Sequence, residues 1–495
     1  MLDHSPLNGQ PLTFDLFSRF AFPSQPSQTF AATIFQKLPH MGSVQEPSLL
    51  LVQFANLMID MWQQCLSERY HPPIYYLAAL LAYTLQLNSA AVAPHIISTL
   101  VPVCATTCRL VALPRFNSVD GNISDHPDDV IRQLLLDIDV TQSLSLLYMT
   151  ALGCLSLPPT SDGPDQDHDL ALVTPQTEFW TTMELEFVMM MLSPKHPEQD
   201  WFGMLSLLWT SVLPTSIGPI PNPASSATYF ANGRAEMETR EFVANGIIDR
   251  VSSFLSEPPH WASPGSQKDV TVRLAVLKTL MLFATSDFGA VHLASSGVAL
   301  PRIVTVLCWG IDMLYDVDMS SSLPDVSHSL ALAPGKKTTA QEKHGTLAES
   351  APVVIDGDMM QLDSPPVEGV ALDDPSDDAG NQAWDMDDQA QAETDESGTT
   401  LSILLCQLVG RAMLLLHTLV TDPRTADLAN INAKLAASYA GSQRYLIALA
   451  RLNFAEEDLV LEKGIDAETV ELAHELLELA VTPDEGEGLG ELFGL

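Results

Sequence analysis

Only a few residues of this 495-residue chain have the types and spacing that covalent or metal chemistry needs, and each set is incomplete. Gly335-Lys336-Lys337-Thr338 has the lysine and hydroxyl of a phosphate-binding loop. It lacks the earlier glycine and the preceding strand that bring backbone N–H groups around a phosphate. Gly486, Gly488 and Gly490 stand in an acidic tail that would repel one. His474-Glu475 has no second histidine one turn further on, so the two-histidine zinc site of a metalloprotease is excluded. Cys104 and Cys108 share a helix face at i and i+4, but two thiols are half a zinc set, and the spacing suits buried structural cysteines. No catalytic, cofactor-binding or metal-binding set emerges, and the chain reads as non-enzymatic. A site assembled in space from scattered Asp, Glu and His would leave no trace in one sequence.

The residues that could engage other molecules are of two kinds. Large apolar side chains in polar surroundings come first. Trp384 and Met386 alternate with Asp385, Asp387 and Asp388, a pattern that can fold into a basic, apolar groove, or stand as an incidental aromatic in a linker. Leu472, Leu476 and Leu479 form a stripe near the C-terminus with Glu471, Glu475 and Glu478 opposite. Phe454 and Phe493 flank it. Such a segment closes a helical array or grips a partner helix. Modification targets come second. Ser24-Gln25, Ser27-Gln28, Ser266-Gln267 and Ser442-Gln443 carry the minimal Ser-Gln target of ATM/ATR-type kinases, while Ser364-Pro365 and Thr482-Pro483 suit proline-directed ones.

The elements that must position these residues are helices. Residues 1–45, rich in Pro, Ser, Gln and Phe, read as an irregular lead-in. From Pro47, the apolar set Leu50, Phe54, Leu57 and Met61 recurs at helical spacing, with a second apolar row beside it. The pattern predicts helices over 74–87, over 90–113 with a break at Pro94, and two more between Pro127 and Pro158. Thr174-Pro175 is an N-cap and first-turn pair for a helix carrying Phe179, Met183, Phe187 and Met190. Another, after Pro197, carries Trp201, Leu205 and Leu208, and Asp269 is expected to cap a helix with Leu274, Leu277 and Met281 on its buried face. VANGIIDRVSSFL (243–255) and LASSGVALPRIVTVL (293–307) echo each other, each with a glycine, an arginine and a later apolar pair. A helix, a glycine turn and a helix repeating at this interval is the mark of armadillo or HEAT arrays. The expected fold is therefore all-α, a HEAT/armadillo-like α-solenoid over 46–319, with 401–495 as its C-terminal helical part.

Between these blocks, 320–400 is expected to be a disordered acidic insertion. No Lys or Arg occurs from Glu349 to Glu396, and too little apolar surface is present to offset ordering entropy. Pro301–Tyr315 and Leu401–Val420 are each too apolar to stand alone, which predicts that they pack together and make the insertion a tethered loop. Leu401–Val420 includes Gln407, Arg411 and His417, so it reads as a buried helix rather than a membrane span. The net charge of −39 repels phosphates, and direct contact with DNA or RNA is not expected. Six scattered cysteines and a start without a basic, apolar leader suit a reducing compartment.

Three stretches resemble the fungal branch of the ATR-interacting protein family: FWTTMELEFVMMMLSPKHPEQDWFGMLSLLWTSVLP (179–214), RAEMETREFVANGIIDRVSSFL (234–255) and RLNFAEEDLVLEKGIDAETVELAHELLELAVTPDEGE (451–487). The resemblance implies a HEAT-like solenoid that binds an ATR-like PI3K-related checkpoint kinase, prominently through its C-terminal part. It also implies recruitment to single-stranded DNA coated by replication protein A, and a nuclear location. Nothing before Glu46 has heptads, so that family's N-terminal recruitment motif and coiled coil have no counterpart here; the chain is a fragment or lacks them. The implied role is a regulatory or scaffold subunit in DNA-damage signalling and repair, without cofactors or membrane contact. The rival reading is a general armadillo-type adaptor or assembly scaffold unrelated to DNA damage.

Overall fold

Helix N-termini fall where local chemistry dictates. In the computed structural model, which describes residues 13–41, 47–124, 126–155, 174–221, 227–229, 235–237, 239–321, 386–436, 441–454 and 464–480, Thr174 Oγ1 accepts the N–H of Thr177 at 3.2 Å and starts α7 (Pro175–Thr182). Thr174→Ala should therefore cost about 1 kcal/mol in a urea denaturation of the full chain. The same logic opens α5 (Asp129–Asp137), where Asp128 Oδ1 accepts the N–H of Val130 at 2.9 Å.

The helices pack in sequence order. The lead-in is less irregular than its composition implies: it carries α1 (Thr13–Phe17) and α2 (Phe30–Lys37), anchored by buried Phe17, Phe22 and Phe30. Next, α3 (Pro47–Ser67) lies on α4 (Ile74–Asn117), with Trp62 Nε1 donating to Thr107 Oγ1 at 3.0 Å between them. The break within α4 is at Asn88, not Pro94. Asn88 leaves helical geometry (φ −163°, ψ 79°), and its Oδ1 accepts the N–H of Ala91 as a new N-cap. The α5 helix bends by 47° into α6 (Val140–Leu155), which packs on α4 and on α9 (Glu198–Leu208). The expected helix through Phe179 and Met190 is interrupted at Met183. It becomes α7 and α8 (Leu185–Met191), and all four of its apolar positions are buried on both sides of the break.

The two echoing segments do not share a structure. α10 (Arg240–Ser256) runs continuously through Gly246, whereas Gly297 lies between α12 (Asp287–Ser295) and α13 (Ala299–Ser321). Glycine served as the turn marker, but a helix interior tolerates it at a cost of about 1 kcal/mol, and a Cβ at Gly246 would meet only open space. The two arginines instead tie neighbours together. Arg250 Nε donates to Leu192 O at 3.1 Å, and Arg302 Nη1 donates to Asp249 Oδ1 at 2.6 Å. The N-cap of α11 (Gln267–Ala284) is Ser266, three residues before the expected Asp269. A three-residue antiparallel ladder, β1 (Ala227–Tyr229) with β2 (Ala235–Met237), is a small addition to the helices of the described residues.

C-terminal helices complete the array. α14 (Met386–Thr421) begins inside the stretch expected to be disordered. Residues 322–385, the rest of that insertion, lie outside the described residues. Met1–Val317 and Thr399–Leu495 form one compact unit, and Asp318–Gly398 a second. Within the first, a Cβ at Gly310 of α13 would stand 3.1 Å from Val409 and 3.3 Å from Leu408 of α14, so the two apolar runs pack together at a glycine. Short α15 (Ala426–Ala429) and α16 (Ile431–Ala436) lead to α17 (Gly441–Asn453) and α18 (Ala467–Ala480), which pack on each other. The observed architecture is an all-α solenoid. Among the described residues, two helices, Ile74–Asn117 and Thr400–Thr421, are long and apolar enough to cross a membrane. Both bury much of that surface within the array, α4 against α3 and α6, and α14 against α13.

Candidate partner-binding site

The C-terminal helices are locked to α13 by polar contacts over an apolar base. Tyr315 Oη donates to Arg451 O at 3.3 Å, and Arg451 Nη1 donates to Asp312 Oδ1 at 2.7 Å. Across α14, the seam with α18 is closed at Gly410, where a Cβ would lie 3.0 Å from Thr469 Oγ1. Two turns on, His417 Nε2 donates to Glu475 Oε2 at 2.6 Å. α18 starts after Gly464, whose φ of +79° turns the chain, and at Asp466, whose Oδ1 accepts the N–H of Thr469 at 2.7 Å.

Between α14 and α18 this leaves a groove of about 380 Å³. Ile403, Leu414 and Leu472 supply its apolar wall, and Arg411, Asp466 and Glu468 its polar rim. Ile403 is 52% exposed and Leu414 38%, although α14 otherwise buries Leu405, Leu408, Val409, Met413 and Leu416. An amphipathic helix with a mixed-charge edge fits such a groove.

The stripe Leu472, Leu476, Leu479 is divided by the fold. Leu476 is buried in the array core, Leu472 is half-buried along the groove, and Leu479 is exposed beside a smaller hollow lined by Val420, Asn430 and Tyr445. A closing helix needs an inward apolar stripe as much as a binding helix needs an outward one, so the spacing alone did not separate them. Phe454 directly follows α17, with 40% of its surface exposed. Phe493 and Trp384 lie outside the described residues, as do Ser364 and Thr482. Ser266 caps α11 and Ser442 sits in the first turn of α17, both half-buried; Ser24 and Ser27 are exposed. Ile403 and Leu414 were not singled out from sequence, since they sit inside a run whose apolar residues all look like core; Arg411 was noted there only as a residue that a membrane span would not carry.

Elsewhere the titratable groups are tied into the scaffold. Burial pushes the Cys104 and Cys108 thiols up, no disulfide joins any of the six cysteines, and among the described residues no three His, Cys, Asp or Glu side chains gather as a metal set. A hollow of about 600 Å³ lies where α4, α6 and α9 meet. Its buried Asp200 accepts from Arg115 Nη1 and Thr141 Oγ1, each at 2.7 Å. Burial raises the Asp200 pKa, against the pull of those two donors. With both oxygens engaged, this carboxylate fastens three helices together.

Comparison with known proteins places the chain. The family described as "Rad26-like, helical repeats" matches residues 103–420, "Rad26-like, C-terminal domain" matches 429–493, and "Rad26-like, N-terminal domain" matches 1–46. The chain belongs to the Rad26-like family. Among solved structures, the crystal structure of Myceliophthora thermophila Rad26 (residues 373–841) is 52% identical, with a TM-score of 0.70. The match covers 94% of this chain and 96% of that one. None of the curated proteins compared with it matches. For the Rad26-like chain, the candidate groove falls at the junction of two matched regions: α14 ends the helical-repeat match, and α18 lies within the C-terminal one.

Proposed function

We propose that this Rad26-like chain is a non-catalytic regulatory subunit that binds an ATR-like checkpoint kinase and helps bring it to damaged or stalled DNA in the nucleus. The observation that carries the reading is the α14–α18 groove, where Ile403 and Leu414 stand exposed on a helix that is otherwise core. Resemblance to the ATR-interacting protein family supplies the identity of the partner. The partners that suit a chain of net charge −39 are proteins, the kinase and replication protein A on single-stranded DNA, rather than nucleic acid itself or a membrane.

A full-length Ile403→Glu/Leu414→Glu variant should lose affinity for the kinase by roughly tenfold or more in co-purification, because two charges replace the apolar wall. Its helical circular dichroism should be unchanged, since both side chains are already in contact with water. Full kinase recovery by the folded variant would rule the groove out. A deletion strain without selective sensitivity to replication-blocking agents would favour a general adaptor instead.

A further inference from the structure

The four Ser-Gln dipeptides are equivalent as sequence but not as structure. Ser266 is committed to capping α11 and Ser442 to the first turn of α17. Ser24-Gln25 and Ser27-Gln28 sit together on an exposed loop tip between α1 and α2. The loop is closed at its base by the Ala21–Thr29 bridge and by Phe30 N donating to Phe20 O at 2.9 Å. Its turns are tied by Gln25 N to Phe22 O and Gln28 N to Gln25 O. A kinase can reach this tip without unfolding a helix.

Ser24 also has a partner. Its Oγ donates to Glu68 Oε1 at 2.6 Å and its N–H to Glu68 Oε2 at 3.0 Å. Glu68 lies just past the end of α3 and takes a further bond from Gln64 Nε2 at 2.8 Å. The next residue, Arg69, adopts a left-handed φ of +54°, so a tight reversal fixes where Glu68 stands. Hydrogen bonds from Ser24, with help from Gln64, lower the Glu68 pKa and keep it ionised. Beneath this clamp the lead-in is held by aromatic contacts. The Phe22 and Phe30 centroids are 4.4 Å apart, and Phe20 stands 5.7 Å from Tyr76.

We infer that the Ser24–Ser27 tip is a modification site for a Ser-Gln-directed kinase, and that a phosphate on Ser24 breaks the Glu68 clamp and loosens residues 13–41 from the corner between α3 and α4. The γ-phosphoryl of ATP passes to Ser24 Oγ: the Oγ–P bond forms, the bond to ADP breaks, and the hydroxyl proton leaves to a base on the kinase or to solvent. Oγ then has no proton to donate, and a group of charge about −1.5 to −2 faces the ionised Glu68 carboxylate. The inference rests on the proposed function only for the identity of the kinase. The clamp rests on geometry alone.

Two measurements on the full chain test it. Incubation with ATP and an ATR-type kinase, read by mass spectrometry, should place phosphate at Ser24 or Ser27 ahead of Ser266 and Ser442. Equal or preferential labelling at Ser266 or Ser442, or no label at the tip, overturns the site. Backbone amide exchange across residues 13–41 should be roughly threefold faster or more in Ser24→Glu than in Ser24→Ala, from like-charge repulsion at contact distance. Adding Glu68→Gln to Ser24→Glu should remove most of that excess. Unchanged or slower exchange in Ser24→Glu, as when Arg19 or Arg69 captures the new charge, overturns the clamp. Neither readout uses the α14–α18 groove, so failure here and failure of kinase co-purification are told apart.

Discussion

Arg273→Ala should cost roughly 3–5 kcal/mol of stability, among the largest losses open to a single substitution in this fold. Arg273 and Asp269 stand one turn apart on α11, 7% and 0% exposed, with Arg273 Nε donating to Asp269 Oδ1 at 2.7 Å. The guanidinium also donates to Leu255 O at the end of α10 and lies 4.1 Å from the ring centroid of Trp309 on α13. One side chain thus satisfies a buried carboxylate, closes a helix C-terminus and stacks on an aromatic face. Removing it leaves Asp269 with the N–H of Gly265, at 2.9 Å, and the N–H of Asp269 still held by Ser266. The cost is that of a buried charge without its counter-ion, not the worth of the pair. A double variant, Asp269→Asn with Arg273→Met, should therefore recover much of the loss, because no charge remains to be buried. Urea denaturation of both full-length variants checks this. A loss of under about 1 kcal/mol for Arg273→Ala would mean that water reaches the carboxylate and screens it.

What the sequence revealed and what it hid divide along the range of the interactions. Helix starts at Pro47, Pro175 and Glu198 were legible because proline geometry and side-chain caps act within a few residues. The packing of 301–315 on 401–420 was legible because so long an apolar surface needs a cover. The break at Met183 was not, since buried residues continue on both sides and only the neighbouring helices decide where the chain turns. Gly246 and Gly297 are the same letter in a helix and in a turn. Ser266 and Asp269 are both good caps, and the chain uses the first to begin α11 and the second to hold Arg273. The groove was hidden for a different reason: its walls come from helices separated by more than forty residues, and exposure of Ile403 and Leu414 is a property of their meeting. Leu476 was legible as apolar, but not as facing inward.

Acid should weaken the fold through His196, with a loss of roughly 3 kcal/mol between pH about 6.5 and about 4. His196 sits between α8 and α9, 1% exposed, and its Nε2 donates to Met190 O at 3.0 Å. That bond puts the proton on Nε2 and leaves Nδ1 buried with no partner, so a second proton would have to be carried there unsolvated. Burial is the main reason that its pKa falls from 6.5 to about 4; the Arg115 charge adds to the effect and the Met190 carbonyl opposes it. An unfolded chain takes up this proton at higher pH than the folded one does. Stability from neutral His196 is thus fully present above the unfolded value and is lost as pH falls towards the folded one. Asp200, whose pKa burial raises, works in the opposite sense: the folded chain binds its proton first, so acidification returns part of the loss. The other carboxylates titrate in both proteins being compared and cancel. His196→Gln keeps an N–H for Met190 O and cannot be protonated, so its stability should fall less steeply over the same interval. Denaturation series on wild type and His196→Gln between pH about 7.5 and about 4.5 would show two curves that diverge with acid. Parallel curves would mean that the imidazole is solvated when charged and that the α8–α9 junction opens to admit water.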